Sequence, residues 1–186
     1  MKLLVLYGTT EGQTRKIAEF IAAKLKAYGD LVMLVDATAS TDNVDLRDYD
    51  AAIVAASLHA GVYQGPVIHF ARANSAWLNQ MPSALISVSL SAASTDPEDL
   101  KGIDICAGMF KNETGWTSAE VHQVAGAFRF TEYDFFKRWM MKVIAWEKSI
   151  KAEPGKDLEL TNWEALATTI DAVRARFADA KARKKS

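Results

Sequence analysis

Five short apolar runs, separated by amphipathic segments, place the tightest constraint on how this chain folds. The runs are rich in Val, Ile, Leu and Ala and cover residues 2–7, 31–36, 51–57, 84–90 and 120–128. Runs of this length and composition are typical of strands that helices cover on both faces. The sequence therefore predicts five strands of a sheet that is buried on both sides.

Apolar residues at helical spacing occur in the segments that connect or follow these runs. The pattern predicts helices over residues 14–30, 66–79 and 160–186. The last of them has Thr161 or Asn162 as its expected N-cap residue. Strands that alternate with helices indicate a parallel, doubly wound α/β sheet, whose ligands bind beyond the carboxyl ends of the strands.

The order of these elements predicts a single domain over residues 1–186. Two segments exceed what a minimal five-strand α/β fold needs, residues 91–116 and residues 131–157. Additions of this kind often carry specificity. We find no internal repeat, low-complexity tract or Pro/Gly-rich linker that would divide the chain.

Composition and charge exclude several classes of function. The 22 basic and 23 acidic residues give a formal charge of −1, so no overall field favours nucleic acid as a partner. A lone cysteine, Cys106, excludes an internal disulfide, and neither C-x-x-C nor H-E-x-x-H occurs to bind a metal. Neither a signal peptide nor a membrane-spanning run is found, so we expect a cytoplasmic protein.

The turn LYGTTEGQT, residues 6–14, joins the first predicted strand to the first predicted helix. Backbone N–H groups at the start of a helix and the helix dipole make such a turn an anion site. Neither G-x-x-x-x-G-K-[ST] nor G-x-G-x-x-G fits, which disfavours an ATPase or a dinucleotide-binding protein. The turn fits a phosphate monoester held by hydrogen bonds alone; otherwise its residues serve only as turn and cap. The candidate binding residues are Thr9, Thr10, Glu11, Gly12, Gln13 and Thr14.

In this turn the chain resembles the flavodoxin-like family, whose phosphate loop reads roughly [TS]-x-T-G-x-T. The resemblance implies bound FMN and a three-layer sandwich around a five-stranded parallel sheet of order 2-1-3-4-5. It also implies two further flavin loops, after strands three and four. Their candidate residues are Ser57, Leu58, His59, Ala60, Gly61 and Tyr63, and then Ser89, Leu90, Ser91, Ala92 and Ala93.

Within these loops, Gly61 is free to change its peptide orientation, which is how a backbone group follows protonation of the flavin N5 in flavodoxin-like proteins. His59 and Tyr63 either flank the flavin ring or are ordinary surface and loop residues.

Over nearly its whole length the chain is similar to the menaquinone-dependent protoporphyrinogen oxidase family, a branch of the flavodoxin-like proteins. Telling segments are NQMPS at 79–83 and AGAFRF at 125–130. The resemblance implies an FMN-dependent oxidoreductase of heme biosynthesis that oxidises a porphyrinogen or a similar reduced donor and passes electrons to a quinone. The isoalloxazine carries such chemistry, so no catalytic side chain is assigned.

Two departures from that family stand out. The family's S-x-R-Y-G after strand three is replaced by Ser57-Leu58-His59-Ala60-Gly61. The usually basic segment after strand four is acidic here, at residues 94–104. Two other hypotheses therefore remain open, an FMN electron-transfer protein that reacts only with other proteins, and a flavodoxin-like interaction module that has lost flavin.

Residues 133–150, YDFFKRWMMKVIAWEKSI, predict a helix within the segment added between strand five and the last helix. Its broad apolar and aromatic stripe and its basic remainder suit peripheral contact with the inner face of a membrane, or a surface for quinone or porphyrin. The same stripe suits packing on the sheet or a homodimer interface. Cys106 is expected to be a small buried apolar side chain.

Overall fold

The computed structural model describes residues 1–39, 41, 44–128 and 158–183. The strands are β1 (Lys2–Gly8), β2 (Leu31–Asp36), β3 (Ala51–His59), β4 (Val62–Tyr63), β5 (Ser83–Ser89), β6 (Glu120–Ala125), β7 (Ala127–Phe128) and β8 (Leu158–Glu159). The helices are α1 (Gln13–Ala27), α2 (Gly65–Ala73), α3 (Ser75–Leu78), α4 (Pro97–Thr114) and α5 (Trp163–Arg183). The added segment at 131–157, with its predicted helix at 133–150, lies outside the described residues.

The main sheet has the order β2-β1-β3-β5-β6, and all of these strands are parallel. The two-residue strand β4 adds an antiparallel hairpin to the end of β3. With β4 set aside, this is the order 2-1-3-4-5, so the predicted sheet is confirmed. All five carboxyl ends therefore lie at one edge, where a doubly wound sheet binds its ligands.

Helices cover both faces of the sheet and complete the three-layer sandwich. On one face, Ile17, Ile21 and Leu25 of α1 and Ile170 and Phe177 of α5 pack against β1, β3, β5 and β6. On the other face, α2 and α4 contribute buried side chains to a second core. Because β1, β3 and β5 are buried on both sides, they read in the sequence as continuous apolar runs.

Two predicted boundaries are wrong. The helix expected over 66–79 is interrupted at Asn74, whose side-chain amide donates to the Phe70 carbonyl (2.9 Å) and separates α2 from α3. The fifth strand ends at Ala125 rather than at 128, because its pairing partner β5 ends at Ser89, whose carbonyl accepts from the Gly126 N–H (3.0 Å). Residues 127–128 instead form β7, which pairs with β8.

Residues 91–116, expected to be an addition to the fold, contain the crossover helix α4. Asp96 caps its start by accepting from the Glu98 N–H (2.9 Å), Pro97 follows, and Gly115 ends it at a φ of 73°. A parallel connection from β5 to β6 needs such a crossover, so the segment belongs to the basic fold.

The connection from β2 to β3 differs from the helical connections of the sheet. Within its described residues the regular structure is a single 3₁₀ turn, Leu46–Asp48. Leu31 and Met33 on β2 therefore remain 71% and 53% exposed. Among the described residues, no helix is long and apolar enough to cross a bilayer.

Gly8, the last residue of β1, allows α2 to approach the sheet closely. A Cβ at this position would lie 2.4 Å from Cγ2 of Val67, a buried side chain of α2. That separation is far below van der Waals contact, so either the strand end or the helix would have to move. The glycine thus sets the position of α2 beside the start of the opening turn.

We expect Gly8→Ala to lower the free energy of unfolding by about 1–3 kcal/mol, the usual cost of overpacking a core. Gly108→Ala is the matched control, since nothing lies within 4 Å of the added methyl in α4. That change should raise stability by about 0.5–1 kcal/mol, because glycine is a poor helix former. Urea unfolding of both variants measures the difference, and equal stabilities would contradict the close approach.

Candidate functional site

A cleft of about 420 Å³ opens at the carboxyl edge of the sheet. This volume is within the usual range for a small-molecule or cofactor site. Its walls come from the ends of β1, β3, β5 and β6 and from one side of α4. The lining residues are Thr9, Thr10, Glu11, Gln13, Thr14, Ser57, Leu58, His59, Ala60, Gly61, Val88, Ser89, Leu90, Ser91, Glu98, Asp99, Gly102, Ile103, Cys106, Gly126 and Ala127.

The structure brings the three predicted loops together around this cleft. Every predicted residue of the first loop except Gly12 lines it, and so do residues 57–61 and 89–91. Tyr63, Ala92 and Ala93 were predicted to bind but are not part of its lining. The arrangement depends on the parallel sheet, which places loops far apart in sequence at one edge.

The opening turn ends at Gly12, which has a left-handed backbone conformation and is the N-cap residue of α1. Gly12 has a φ of 91° and donates its N–H to the Thr9 hydroxyl (2.9 Å), which closes the turn. Its role is therefore to shape the loop, while Gln13 and Thr14 start the helix beside the cleft. The first N–H groups of a helix have no partner within the helix and favour an anion.

No lysine or arginine occurs among the described residues that line the cleft. An anion at the start of α1 would be held by backbone N–H groups and by the hydroxyls of Thr9, Thr10 and Thr14. This donor set suits a phosphate monoester, which accepts several hydrogen bonds at once.

Gln13 connects this turn to a residue that the sequence analysis assigned only to capping. The Gln13 amide donates to the Thr161 hydroxyl (2.9 Å), and that hydroxyl donates to the Ala125 carbonyl (2.7 Å). The N-cap of α5 is Asn162, whose side chain accepts from the Ala165 N–H (2.9 Å). Of the two predicted N-cap candidates, Asn162 is confirmed, and Thr161 instead faces the first loop.

The second loop is a tight β-hairpin between β3 and β4. His59 pairs with Val62, so Ala60 and Gly61 form a two-residue turn, with φ of 49° and 83°. Two successive positive φ values are the mark of a type I′ turn. Gln64 joins this region to the first loop by donating to the hydroxyls of Thr10 (3.1 Å) and Ser57.

Tyr63 does not flank the cleft, contrary to one of the two interpretations of the sequence. The hairpin reverses the chain, so that its side chain turns inward and is 4% exposed. Its hydroxyl lies 2.8 Å from the Ser87 hydroxyl, and its ring packs 4.9 Å from that of Phe110. Burial raises the pKa of Tyr63 to about 12, although the hydrogen bond between Tyr63 and Ser87 partly opposes the shift.

The third loop is a 3₁₀ turn over Ser91–Ala93. The Ser89 hydroxyl accepts from the Ala92 N–H (3.1 Å), which commits that backbone group to the turn. Ala92 and Ala93 therefore hold the loop in shape instead of lining the cleft. Ser89 and Ser91 remain at its surface.

Helix α4 supplies a wall that the sequence analysis missed. Glu98, Asp99, Gly102, Ile103 and Cys106 all line the cleft. Asp99 accepts from the Ser94 hydroxyl (2.6 Å), which ties the helix start to the third loop. Cys106 was expected to be buried but is only half-buried, with its thiol at the cleft surface near Gly61.

The opposite wall is formed by Gly126 and Ala127. A Cβ on Gly126 would lie 3.3 Å from Cγ1 of Val88, so the lack of a side chain lets the chain pass close to β5. Within residues 1–39, 41, 44–128 and 158–183, no cluster of His, Cys, Asp or Glu is arranged to hold a metal ion.

The family model of the flavodoxin domain matches residues 4–154. The chain is 30% identical over 167 residues to a protoporphyrinogen IX dehydrogenase [quinone] of Escherichia coli (strain K12), covering 90% of this chain and 91% of that protein. A protein of the same name from Leishmania major is 29% identical, with 89% of this chain and 71% of that protein covered.

Structural comparison gives the same fold. A flavodoxin from Streptococcus pneumonia TIGR4 has a TM-score of 0.55 at 19% identity, covering 95% of this chain and 99% of that chain. Rubredoxin oxygen:oxidoreductase from Desulfovibrio gigas has a TM-score of 0.56 at 15% identity, covering 97% of this chain and 36% of that chain. At these identities the likeness extends to the fold alone.

The positive φ values at Ala60 and Gly61 predict opposite effects of substitution at these two positions. We expect Gly61→Ala to lower the free energy of unfolding by about 1–2 kcal/mol, since a Cβ is unfavourable in a left-handed conformation. The added atom would lie no closer than 4.0 Å to Sγ of Cys106, so the loss reflects the backbone and not a clash. Ala60→Asn should instead stabilise the protein, since Asn tolerates that conformation. Chemical unfolding measures both, and a neutral Gly61→Ala would contradict the turn geometry.

The raised pKa of Tyr63 predicts that the folded protein loses stability at alkaline pH. Its pKa is raised by burial to about 12 in the folded protein, against an ordinary value of 10.0. The folded state therefore retains a proton that the unfolded state releases, and stability present below pH ~10 is lost as the pH rises. Unfolding midpoints between pH 9 and 11 should fall less steeply for Tyr63→Phe than for the unmodified protein. Equal slopes would show that Tyr63 ionises freely in the folded protein.

Proposed function

The chain belongs to the flavodoxin-domain family, and from this membership and its cleft we propose that it is an FMN-dependent oxidoreductase. One observation carries the proposal. At the carboxyl edge of the sheet, the start of α1 shares one cleft with the loops after β3 and β5, and the described residues that line this cleft include no lysine or arginine. A flavin mononucleotide has the matching form, with a phosphate at one end and a planar polar ring at the other.

The described residues fit this cofactor in size and in chemistry. The N–H groups at the start of α1 and the hydroxyls of Thr9, Thr10 and Thr14 would hold the phosphate. The loops 57–61 and 89–91 would hold the ring, with Ser89 and Ser91 near its pyrimidine edge. When bound, FMN supplies an acceptor for a hydride or for single electrons.

The protein's own residues would orient the ring and control access to it. The type I′ turn leaves the peptide at Gly61 free of side-chain hindrance, so that it presents either its N–H or its carbonyl group to the cleft. The close pairing of His59 with Val62 limits movement of the rest of the hairpin. Ile103 of α4 and Val88 of β5 add apolar surface that excludes water beside the ring.

For the electron donor and acceptor, we propose a porphyrinogen or a similar reduced compound and a quinone. The proposal is supported by the shared name of the relatives, one of which matches over 91% of its length. Both reactants are large and largely apolar, so they would meet the flavin at its open side. Peripheral membrane contact or dimerisation through residues 133–150 stays a prediction, since those residues lie outside the described part of the chain.

An FMN electron-transfer protein is the second candidate, favoured by the acidic start of α4. Glu98 and Asp99 line the cleft, and Asp96 lies exposed beside them. An acidic rim around the flavin would suit docking of a basic protein partner. Turnover of porphyrinogen with quinone separates the two functions, because a carrier needs a partner protein for each step.

We expect the purified protein to bind FMN with absorption bands at about 370 and 450 nm and with quenched flavin fluorescence. Thr14→Val should weaken FMN binding about tenfold, as expected for the loss of one hydrogen bond to a charged group. Thr168→Val is the control, because that exposed residue lies on α5 away from the cleft. Fluorescence titration gives the dissociation constants. Unchanged fluorescence at saturating FMN would leave the interaction module without flavin as the remaining hypothesis.

The loaded protein is then expected to oxidise protoporphyrinogen when a quinone is supplied as acceptor, with porphyrin fluorescence as the readout. Binding of FMN without porphyrin formation would favour the electron-transfer protein.

A further inference from the structure

Thr161 lies outside all three loops of the cleft, yet its side chain is buried against the first of them. The residue is 9% exposed and follows strand β8. Its hydroxyl accepts from the Gln13 amide at 2.9 Å and lies 2.7 Å from the Ala125 carbonyl oxygen. The capping of α5 is provided by Asn162, so the Thr161 hydroxyl is not needed there.

The direction of these hydrogen bonds is determined by chemistry. A carbonyl oxygen only accepts, so the single hydroxyl hydrogen of Thr161 is directed to the near carbonyl of Ala125 (2.7 Å), with the Gly126 carbonyl as a longer second acceptor (3.4 Å). The hydroxyl oxygen then accepts from the Gln13 side chain, which must present its NH₂ group and not its carbonyl. The orientation of the Gln13 amide is therefore set by Thr161.

Gln13 is well placed to transmit this constraint to the cleft. It is the first residue of α1, is 8% exposed, and lies between Gly12, which closes the turn, and Thr14, which lines the cleft. On the far side, Ala125 is the last residue of β6, directly before the cleft residues Gly126 and Ala127. The hydroxyl thus connects the first turn of α1 to the opposite wall.

Loss of the hydroxyl would leave the Gln13 amide buried without its partner. An unsatisfied buried donor is costly, so the amide would turn toward another acceptor and move the first helical turn with it. The N–H groups of that turn are the ones that face an anion in the cleft. Loss of the hydroxyl should therefore weaken the binding of a phosphate group much more than the binding of a flavin ring.

We propose that Thr161 is a positioning residue for the phosphate end of the cleft, acting through Gln13 to hold the first turn of α1 in its anion-binding orientation. This inference rests on the proposed binding of FMN. It predicts that Thr161 determines the preference for FMN over its dephosphorylated form, riboflavin, without contacting either.

Dissociation constants for FMN and for riboflavin, measured by flavin fluorescence quenching, test the proposal. Thr161→Val retains the shape of the side chain and removes the hydroxyl. It should weaken FMN binding about tenfold, which corresponds to a lost buried hydrogen bond, and weaken riboflavin binding less than about twofold. Thr161→Ser restores the hydroxyl and should restore the preference for FMN.

Thr114→Val is the matched control. Thr114 is also buried, and its hydroxyl donates to the Phe110 carbonyl at 2.8 Å, but it lies at the end of α4 and does not line the cleft. This variant should lose comparable stability while its ratio of FMN to riboflavin affinity stays unchanged. A general loss of stability is thereby separated from a change at the phosphate end.

If Thr161→Val does not fold, Thr161→Ala decides the question, because it removes the same hydroxyl without placing a methyl group against the Ala125 carbonyl. A ratio of affinities that stays within twofold of the unmodified protein, in whichever variant folds, overturns the proposal. In that case FMN binding by the unmodified protein leaves the proposed function intact. An unmodified protein that binds neither flavin overturns both.

Discussion

The parallel pairing of β1 with both β2 and β3 is the constraint on which the site depends. It places the end of β1 beside the end of β3, where Gly8 lies opposite Ala56. Pairing of β3 with β5 and of β5 with β6 extends the same edge. Four segments that are distant in sequence are thereby brought to one cleft, each at the point where a strand has just ended. The sheet itself therefore determines where these loops lie.

Charged groups are arranged differently at the two edges of the sheet. At the edge away from the cleft, the buried carboxylate of Asp30 pairs with Arg174 of α5 and with the Met1 ammonium, both at 2.6 Å. Burial raises the pKa of Asp30, but the hydrogen bonds and charges of Arg174 and of the ammonium lower it by more. The pKa of Asp30 therefore lies below its ordinary value. At the cleft edge, the described lining residues include no lysine or arginine to neutralise an anion. Ion pairs therefore stabilise α5 on the sheet at one edge, whereas neutral donors are arranged for binding at the other.

Local sequence patterns were sufficient for the strands and for the opening turn, and insufficient where distant residues decide the outcome. Strands buried on both faces leave continuous apolar runs, so the five strands were predictable from the sequence, whereas their order was implied by the resemblance to the flavodoxin-like family. Helix α4 was not recognised, because buried Ile103 and Phe110 alternate with exposed Ile105 and Met109 and blur the helical period. Tyr63 was misplaced since the direction of its side chain depends on the hairpin reversal at Ala60 and Gly61. The bond from Gln13 to Thr161 spans 148 positions and leaves no local pattern in the sequence.

The short ladder between β7 and β8 affects how the length of the chain between them can change. Ala127 pairs with Glu159 and Phe128 with Leu158, so the chain leaves the carboxyl edge and returns to it at one place. When two ends are held side by side, doubling the length of the chain between them costs only about 0.6 kcal/mol of closure entropy. A change in the number of residues between Phe128 and Leu158 would therefore cost little closure entropy, because the pairing of β7 with β8 sets where the chain leaves the carboxyl edge and where it returns.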